Sequence, residues 1–222
     1  MFSVEQFSPE GRAALDQAFD LGLLGPGDVT AHIQHALGYL EAAHQVGARS
    51  DGRIADLGSG GGLPGLVVAE AWTDATFVLI DAAERRCAFL AESVERMGLA
   101  SRIAVRRGRA EALAHEEDLR ETFDLVVARS FGPPPVLAEC AAPLLKIGGW
   151  LIVSEPPSTE VTERRWPIAG LELLGLGAPM SIRGNRHFVA IQKVGQTADR
   201  FPRRVGIPSK RPIFPVLDLP TG

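Results

Sequence analysis

The chain lacks most features that would set it apart from ordinary globular proteins. Its two cysteines, Cys87 and Cys140, are too few and too far apart for a disulfide scaffold or a zinc knuckle. No charge-free run exceeds the 13 residues from Leu57 to Ala69, short of the ~18 that a membrane helix needs. The first residues carry Glu5 and Glu10 rather than a basic-then-apolar pattern. No export is therefore inferred, and a cytoplasmic location is expected. There is no internal repeat and no low-complexity tract. Positive charge is not in excess either: 23 basic groups face 27 acidic ones, for a net charge of −4. That excludes a general nucleic-acid coat while leaving room for a local basic site. The 222 residues are 45% hydrophobic and 23% charged, which suits one large domain, or one domain with an appendage.

What is present begins with helices. Ser8-Pro9 is a start signal, and Ala14, Leu15, Ala18 and Phe19 recur at helical spacing until Gly25-Pro26-Gly27. A second helix is predicted from Val29 to Val46, with Ile33, Leu37, Leu40 and Ala43 as its apolar stripe. Residues 1–50 thus read as a helical extension. From Arg53 the texture changes to strands alternating with helices. Strands are predicted at 53–57, 77–81, 103–105, 123–128, 150–153, 171–174 and 187–191, with helices through Trp72, from Glu84 to Met97 and from Val136 to Leu145. Continuous apolar runs separated by helices indicate a mostly parallel seven-stranded sheet covered on both faces, over residues 51–195. The remainder, 196–222, holds many prolines and reads as an extended arm.

Charge is unevenly placed. Residues 1–50 balance at −4, whereas residues 183–211 hold eight basic groups against Asp199 alone. Arg200, Arg203, Arg204, Lys210 and Arg211 fall within twelve residues and are the candidate contacts to a phosphate backbone. The alternative is an arm that folds back onto the acidic body, with Phe201 and Phe214 as anchors.

The strongest chemical signal is Asp56-Leu57-Gly58-Ser59-Gly60-Gly61-Gly62-Leu63-Pro64-Gly65, between the first predicted strand and its helix. Glycines let the backbone turn sharply and let a ligand approach the main chain. In a doubly wound sheet this loop lies at the carboxyl edge of the strands. A dinucleotide fingerprint would need a third glycine at position 63, where the chain has Leu63, and no Gly-Lys-Ser/Thr follows for a phosphate loop of the Walker type. Asp81 ends the second strand about twenty residues on, where a carboxylate accepts from ribose hydroxyls. Considered alone, Asp81 has a second reading as the cap of the next helix, and the glycine loop decides for the ribose.

These motifs, with Arg85-Arg86-Cys87-Ala88-Phe89-Leu90, Gly108-Arg109-Ala110-Glu111, Arg129-Ser130-Phe131 and the ending Phe201-Pro202-Arg203-Arg204-Val205-Gly206-Ile207-Pro208-Ser209-Lys210-Arg211-Pro212, resemble the RsmG (GidB) family. The resemblance covers most of residues 53–212. It implies a Rossmann-like class I methyltransferase fold and S-adenosyl-L-methionine as cofactor. The expected activity is methylation of a guanine N7 in small-subunit (16S) ribosomal RNA. It further implies that Asp56, Gly58, Ser59, Gly60, Gly62 and Leu63 form the cofactor loop, with Gly58 and Leu63 at its methionine end. Asp81 would hold the ribose, Ala110 and Glu111 would flank the adenine, and Arg129 would stand beside the cofactor. On its own, Glu111 reads equally as an acid favoured early in a helix. Arg129, at a strand's carboxyl end, is read as facing the cleft, with a surface ion pair as the alternative.

Guanine N7 carries an exposed lone pair, so no general base is expected. His32 and His35 lie three apart without a third ligand, so no metal is expected. His115 and His187 read as solvent or strand-edge residues. The expected partner is ribosomal RNA or the small ribosomal subunit, with no membrane, and the chain is expected to be a monomer. Two stretches depart from the family pattern. His35 and Ala36 stand where the family has an acid and a serine, and Glu155 in Ser154-Glu155-Pro156-Pro157 stands near the family's lysine, where it would repel a phosphate. Another RNA or a small molecule as substrate, or a non-catalytic RNA-binding or ribosome-assembly role, are the alternatives.

Overall fold

In the computed structural model, residues 2–156, 162–183 and 186–217 are described. Two helices come first, α1 (Pro9–Asp20) and α2 (Val29–Gln45). Each starts where a side chain satisfies an otherwise orphaned amide: Ser8 Oγ accepts from Gly11 N at 2.9 Å, and Asp28 Oδ1 from Thr30 N at 3.1 Å. There follow β1 (Arg53–Leu57), α3 (Gly65–Ala71), β2 (Thr76–Asp81), α4 (Glu84–Arg96), β3 (Ile103–Arg107), α5 (Ala110–Leu113) and β4 (Phe123–Ala128). Then come α6 (Pro134–Ala141), β5 (Leu145–Ser154), α7 (Thr162–Arg165), α8 (Ile168–Glu172), β6 (Leu176–Arg183), β7 (His187–Lys193) and α9 (Ile207–Lys210).

The seven strands form one sheet in the order β3-β2-β1-β4-β5-β7-β6, parallel except for β7, which runs antiparallel to both of its neighbours. The continuous apolar runs serve both faces. Along β4, Phe123, Val126 and Ala128 enter the core beneath α6, while Leu125 and Val127 enter the core beneath α2 and α4. The chain leaves β1 toward β2 and β3, then returns to the other side of β1 for β4. That reversal opens a crevice at the carboxyl ends of β1 and β4.

Two sequence expectations are corrected. Residues 171–174 are not a strand: they end α8 and turn into β6, whose run Leu176–Arg183 contains Gly177 and Pro179. Proline is tolerated there because β6 is an edge strand and its register shifts between Leu176 and Pro179. The proline-rich ending is not an extended arm. Phe201 and Phe214 are buried in the same core as Trp166 and Leu171, and Arg120 Nη1 donates to Phe201 O at 2.9 Å. Apolar anchors and internal partners for its main chain outweigh the stiffness of its prolines. Residues 1–50 are likewise integrated, since Ala18, Tyr39, Leu40 and Ala43 share a core with β1, β2 and β4. Among the described residues no helix is long and apolar enough to cross a membrane.

Candidate active site

The glycine loop closes over the end of β2. The amides of Gly58 and Ser59 both donate to Ile80 O, at 2.8 and 3.0 Å. Gly58 and Gly60 have φ of +74° and +54°, in the left-handed region that favours glycine. A Cβ built on Gly60 would meet nothing nearer than two backbone oxygens at 3.7 and 3.8 Å. It would project into the crevice, so the loop is a cradle that a side chain would fill.

Asp56 builds the loop from behind, whereas Ser59 lines the crevice while its hydroxyl is bonded within the loop. Asp56 is fully buried, and its Oδ2 accepts from Gly65 N at 2.9 Å. Ser59 Oγ donates to Asp56 O and accepts from Ile80 N. Burial pushes the Asp56 carboxyl up to about 7, against the Gly65 amide and the Ser59 hydroxyl, and the charge of Asp81 adds to the rise. Gly62 faces Leu66, away from the crevice. Asp81, at the end of β2, accepts from Gly60 N at 3.0 Å and from Ala83 N at 2.8 Å, and Arg86 Nη1 lies 3.5 Å from its Oδ2. One carboxylate therefore joins the glycine loop to the start of α4.

The crevice has two lobes that share Gly58, Arg86 and Ser130. One, of about 190 Å³, lies against Gly60, Leu63, Arg129 and the loop Leu23–Gly25. The other, of about 220 Å³, contains Asp81 and runs on past Ala110, Glu111 and Phe131 to Ser209. Glu111 is buried, and its Oε1 accepts from Gly206 N at 3.1 Å and faces Arg109 Nη2 at 3.4 Å. Burial opposes its ionisation. The hydrogen bonds from the Gly206 and Glu111 amides and from Arg109 prevail, holding the carboxyl below its ordinary range.

Arg129 leaves the end of β4 beside Ser130, which has φ +54°, an uncommon conformation for a non-glycine residue. Its Nη2 lies 2.8 Å from His32 Nδ1, and His32 Nε2 lies 3.0 Å from Gly25 O. A guanidinium only donates, so Nδ1 accepts and Nε2 carries the proton that it gives to the Gly25 carbonyl. His32 is thus held in one tautomer between the guanidinium and the loop that walls the first lobe. Arg129 Nη1 is buried without a protein partner. Burial lowers the guanidinium below its ordinary value, and at neutral pH it stays charged.

The departures from the family pattern have structural occupations. His35 packs between Tyr39 and Phe188, and burial, with the charges of Arg129 and Arg186, pushes it down to about 4. Ala36 is in the core with Ile33 and Leu15. The expected repulsion by Glu155 is corrected: its Oε2 lies 2.7 Å from Arg165 Nε, and Trp166 Nε1 donates to its Oε1 at 3.3 Å. Its charge is matched within the protein. Pro157 lies outside the described residues. His115 is exposed, as expected, and in addition its Nε2 lies 2.8 Å from Pro202 O, which anchors the ending. Among the described residues, no group of three or more potential ligands could hold a metal ion.

The five basic residues of the ending are not equivalent. Arg203 grips the buried Glu139 through its Nε, Nη2 and backbone amide. Arg200 lies over the Phe201 ring, while Arg204, Lys210 and Arg211 are exposed. The sequence reading did not single out Arg86, Leu23–Gly25 or Ser209 as lining residues. It also passed over Tyr39, whose hydroxyl donates to Ala128 O and accepts from Ser154 N, tying the ends of β4 and β5. Tyr39 is the chain's only tyrosine, and its place in an apolar helix was the available signal.

A mostly parallel seven-stranded sheet with a glycine cradle and an acid at the end of β2 defines a Rossmann-like methyltransferase. Solved structures share this fold. An S-adenosylmethionine-dependent O-methyltransferase from Thermotoga maritima matches with a TM-score of 0.56 at 14% identity, covering 83% of this chain and 72% of that one. The cofactor-bound protein Rv0187 from MTB matches with a TM-score of 0.59 at 18% identity, covering 85% and 91%. The family profile of GidB, rRNA small subunit methyltransferase G, matches residues 20–172. Proteins named ribosomal RNA small subunit methyltransferase G are 36% identical in a Synechococcus species, over 71% of this chain and 68% of that protein, and 34% identical in Rubrobacter xylanophilus, over 83% and 74%. The chain belongs to the rRNA small subunit methyltransferase G family.

Proposed function

We propose that this protein transfers the methyl group of S-adenosylmethionine to a guanine N7 of small-subunit ribosomal RNA. The carrying observation is the two-lobed crevice, in which Asp81 stands between the glycine cradle and the Ala110–Glu111 wall. Gly58, Gly60 and Leu63 would hold the amino-acid end, Asp81 the ribose and Ala110 and Glu111 the adenine. The open space over Gly60 and the orphaned Arg129 Nη1 fit a ligand there.

When bound, the cofactor supplies a methyl group on a sulfonium, which guanine N7 can accept directly because its lone pair is already free. The residues around Gly60 then have two tasks, to hold the acceptor in line and to exclude water. Arg129, its direction set by His32, offers a fixed donor in the wall of that lobe. Alignment of this kind can supply ~7–11 kcal/mol of a barrier.

The test is methyl transfer from labelled cofactor to small-subunit rRNA prepared from a strain lacking this protein, with the modified nucleoside identified by mass spectrometry. Loss of a 7-methylguanosine in that strain, restored by the wild-type chain, is expected. An unchanged nucleoside profile together with cofactor binding overturns the rRNA substrate. Failure to bind the cofactor overturns the enzyme reading.

A further inference from the structure

We infer that the C-terminal segment 201–211 is part of the cofactor site, supplying the far wall of its base-binding lobe, with Ser209 in contact with the bound base. The inference rests on the cofactor reading given above and extends it to residues that no glycine motif contains. Within the crevice, the glycine cradle marks one end and the Asp81 carboxylate the middle. The space beyond Asp81 is where the base of a nucleoside must lie. That space is closed by Ala110, Glu111, Val136 and, from the other end of the chain, Ser209.

The segment is held there by contacts distributed along its length. His115 Nε2 meets Pro202 O at 2.8 Å. Arg203 makes a bidentate pair with Glu139, which is fully buried and lies one turn along α6 from the cleft residue Val136. Gly206 turns the chain with φ +80°, and its amide donates to Glu111 Oε1. Glu111 therefore faces the base lobe and grips the segment with the same side chain. Pro208 is buried, and Ser209 next to it is exposed and lines the cleft. A hydroxyl is both donor and acceptor, which matches the alternating edge of an adenine. Docking of the segment and filling of the lobe then favour one another, because each restrains Glu111.

The experiment is calorimetric titration of S-adenosylhomocysteine into the full-length wild type, Ser209→Trp, Ser209→Ala and Arg203→Ala, with amide hydrogen exchange of the wild type with and without that ligand. A tryptophan at the rim intrudes on a lobe of about 220 Å³. We expect Ser209→Trp to weaken binding at least tenfold, equal to about 1.4 kcal/mol. Ser209→Ala should weaken it about threefold, and Arg203→Ala at least fivefold by loosening the wall. The amides of residues 204–211 should gain protection when ligand binds. Affinity of Ser209→Trp within twofold of the wild type, or protection at the glycine loop with none at 204–211, overturns the inference. A wild type that binds no ligand would instead overturn the cofactor reading beneath it.

Discussion

The guanidinium of Arg203 closes on the carboxylate of Glu139 in a bidentate pair, Nε to Oε1 at 2.9 Å and Nη2 to Oε2 at 2.6 Å, and the Arg203 amide donates to the same Oε1 at 2.8 Å. Glu139 is fully buried, whereas Arg203 keeps part of its surface in water. Such a pair is asymmetric: removing the arginine strands a buried carboxylate, and removing both charges strands nothing. Arg203→Ala should therefore destabilise the fold by ~3–5 kcal/mol, and Arg203→Met combined with Glu139→Gln by clearly less. Urea titration of the two variants checks this. Equal losses would mean that the charge on Glu139 is not the penalty.

That pair also marks where sequence reading stops. The glycine cradle was legible because positive φ at Gly58 and Gly60 is a local demand written into the residue type. The apolar runs of β1, β2 and β4 were legible because burial on both faces makes them continuous. Glu139 and Arg203 are 64 residues apart, and nothing in local pattern says that one basic residue of five is withdrawn from solvent. The same holds for His115 and Pro202, and for Glu155 and Arg165, whose meeting turned an expected repulsion into an internal ion pair. β6 escaped for a different reason, since Gly177 and Pro179 break the pattern of a strand that only an edge position tolerates.

Asp56 gives a pH dependence with a definite sign. Its carboxyl is raised from 3.8 to about 7 by burial. The folded state holds this proton more tightly than the unfolded chain, so stability falls as pH rises from about 4 to about 7 and then levels. A shift of this size corresponds to something on the order of 4 kcal/mol. Asp56→Asn keeps an oxygen for the Gly65 amide and has no charge to bury. Its Tm, measured against the wild type, should improve progressively from pH 5 to pH 8. A constant difference across that range would show that Asp56 is already ionised in the folded protein at pH 5.

His32 separates two contacts that can be tested by shape. An asparagine oxygen lies about where Nδ1 does, and a glutamine amide about where Nε2 does. His32→Asn should preserve the acceptor for Arg129, and His32→Gln the donor to Gly25 O. If orientation of Arg129 matters to the reaction, kcat should fall at least tenfold in His32→Gln and less in His32→Asn, with binding of S-adenosylhomocysteine changed less than kcat in both. Single-turnover methylation of rRNA reads the difference. The opposite order would make the Leu23–Gly25 loop, rather than Arg129, the element that His32 serves.

The exposed basic residues of the ending are the proposed contacts for a polyanion. Arg204, Lys210 and Arg211 point to solvent, while Arg203 is engaged with Glu139. Each phosphate contact releases condensed counterions, so log Kd depends linearly on log salt with a slope of ~0.7–0.9 per contact. Replacing Arg204, Lys210 and Arg211 together by alanine should lower that slope by ~2–3 and weaken rRNA binding most at low salt. Arg203→Ala should leave the slope nearly unchanged, because its charge is already spent on Glu139, even where affinity falls with the fold. Filter binding at several salt concentrations distinguishes the two. A slope that drops equally in Arg203→Ala would mean that RNA draws Arg203 away from Glu139, and an unchanged slope in the triple variant would place the RNA on another face of the sheet.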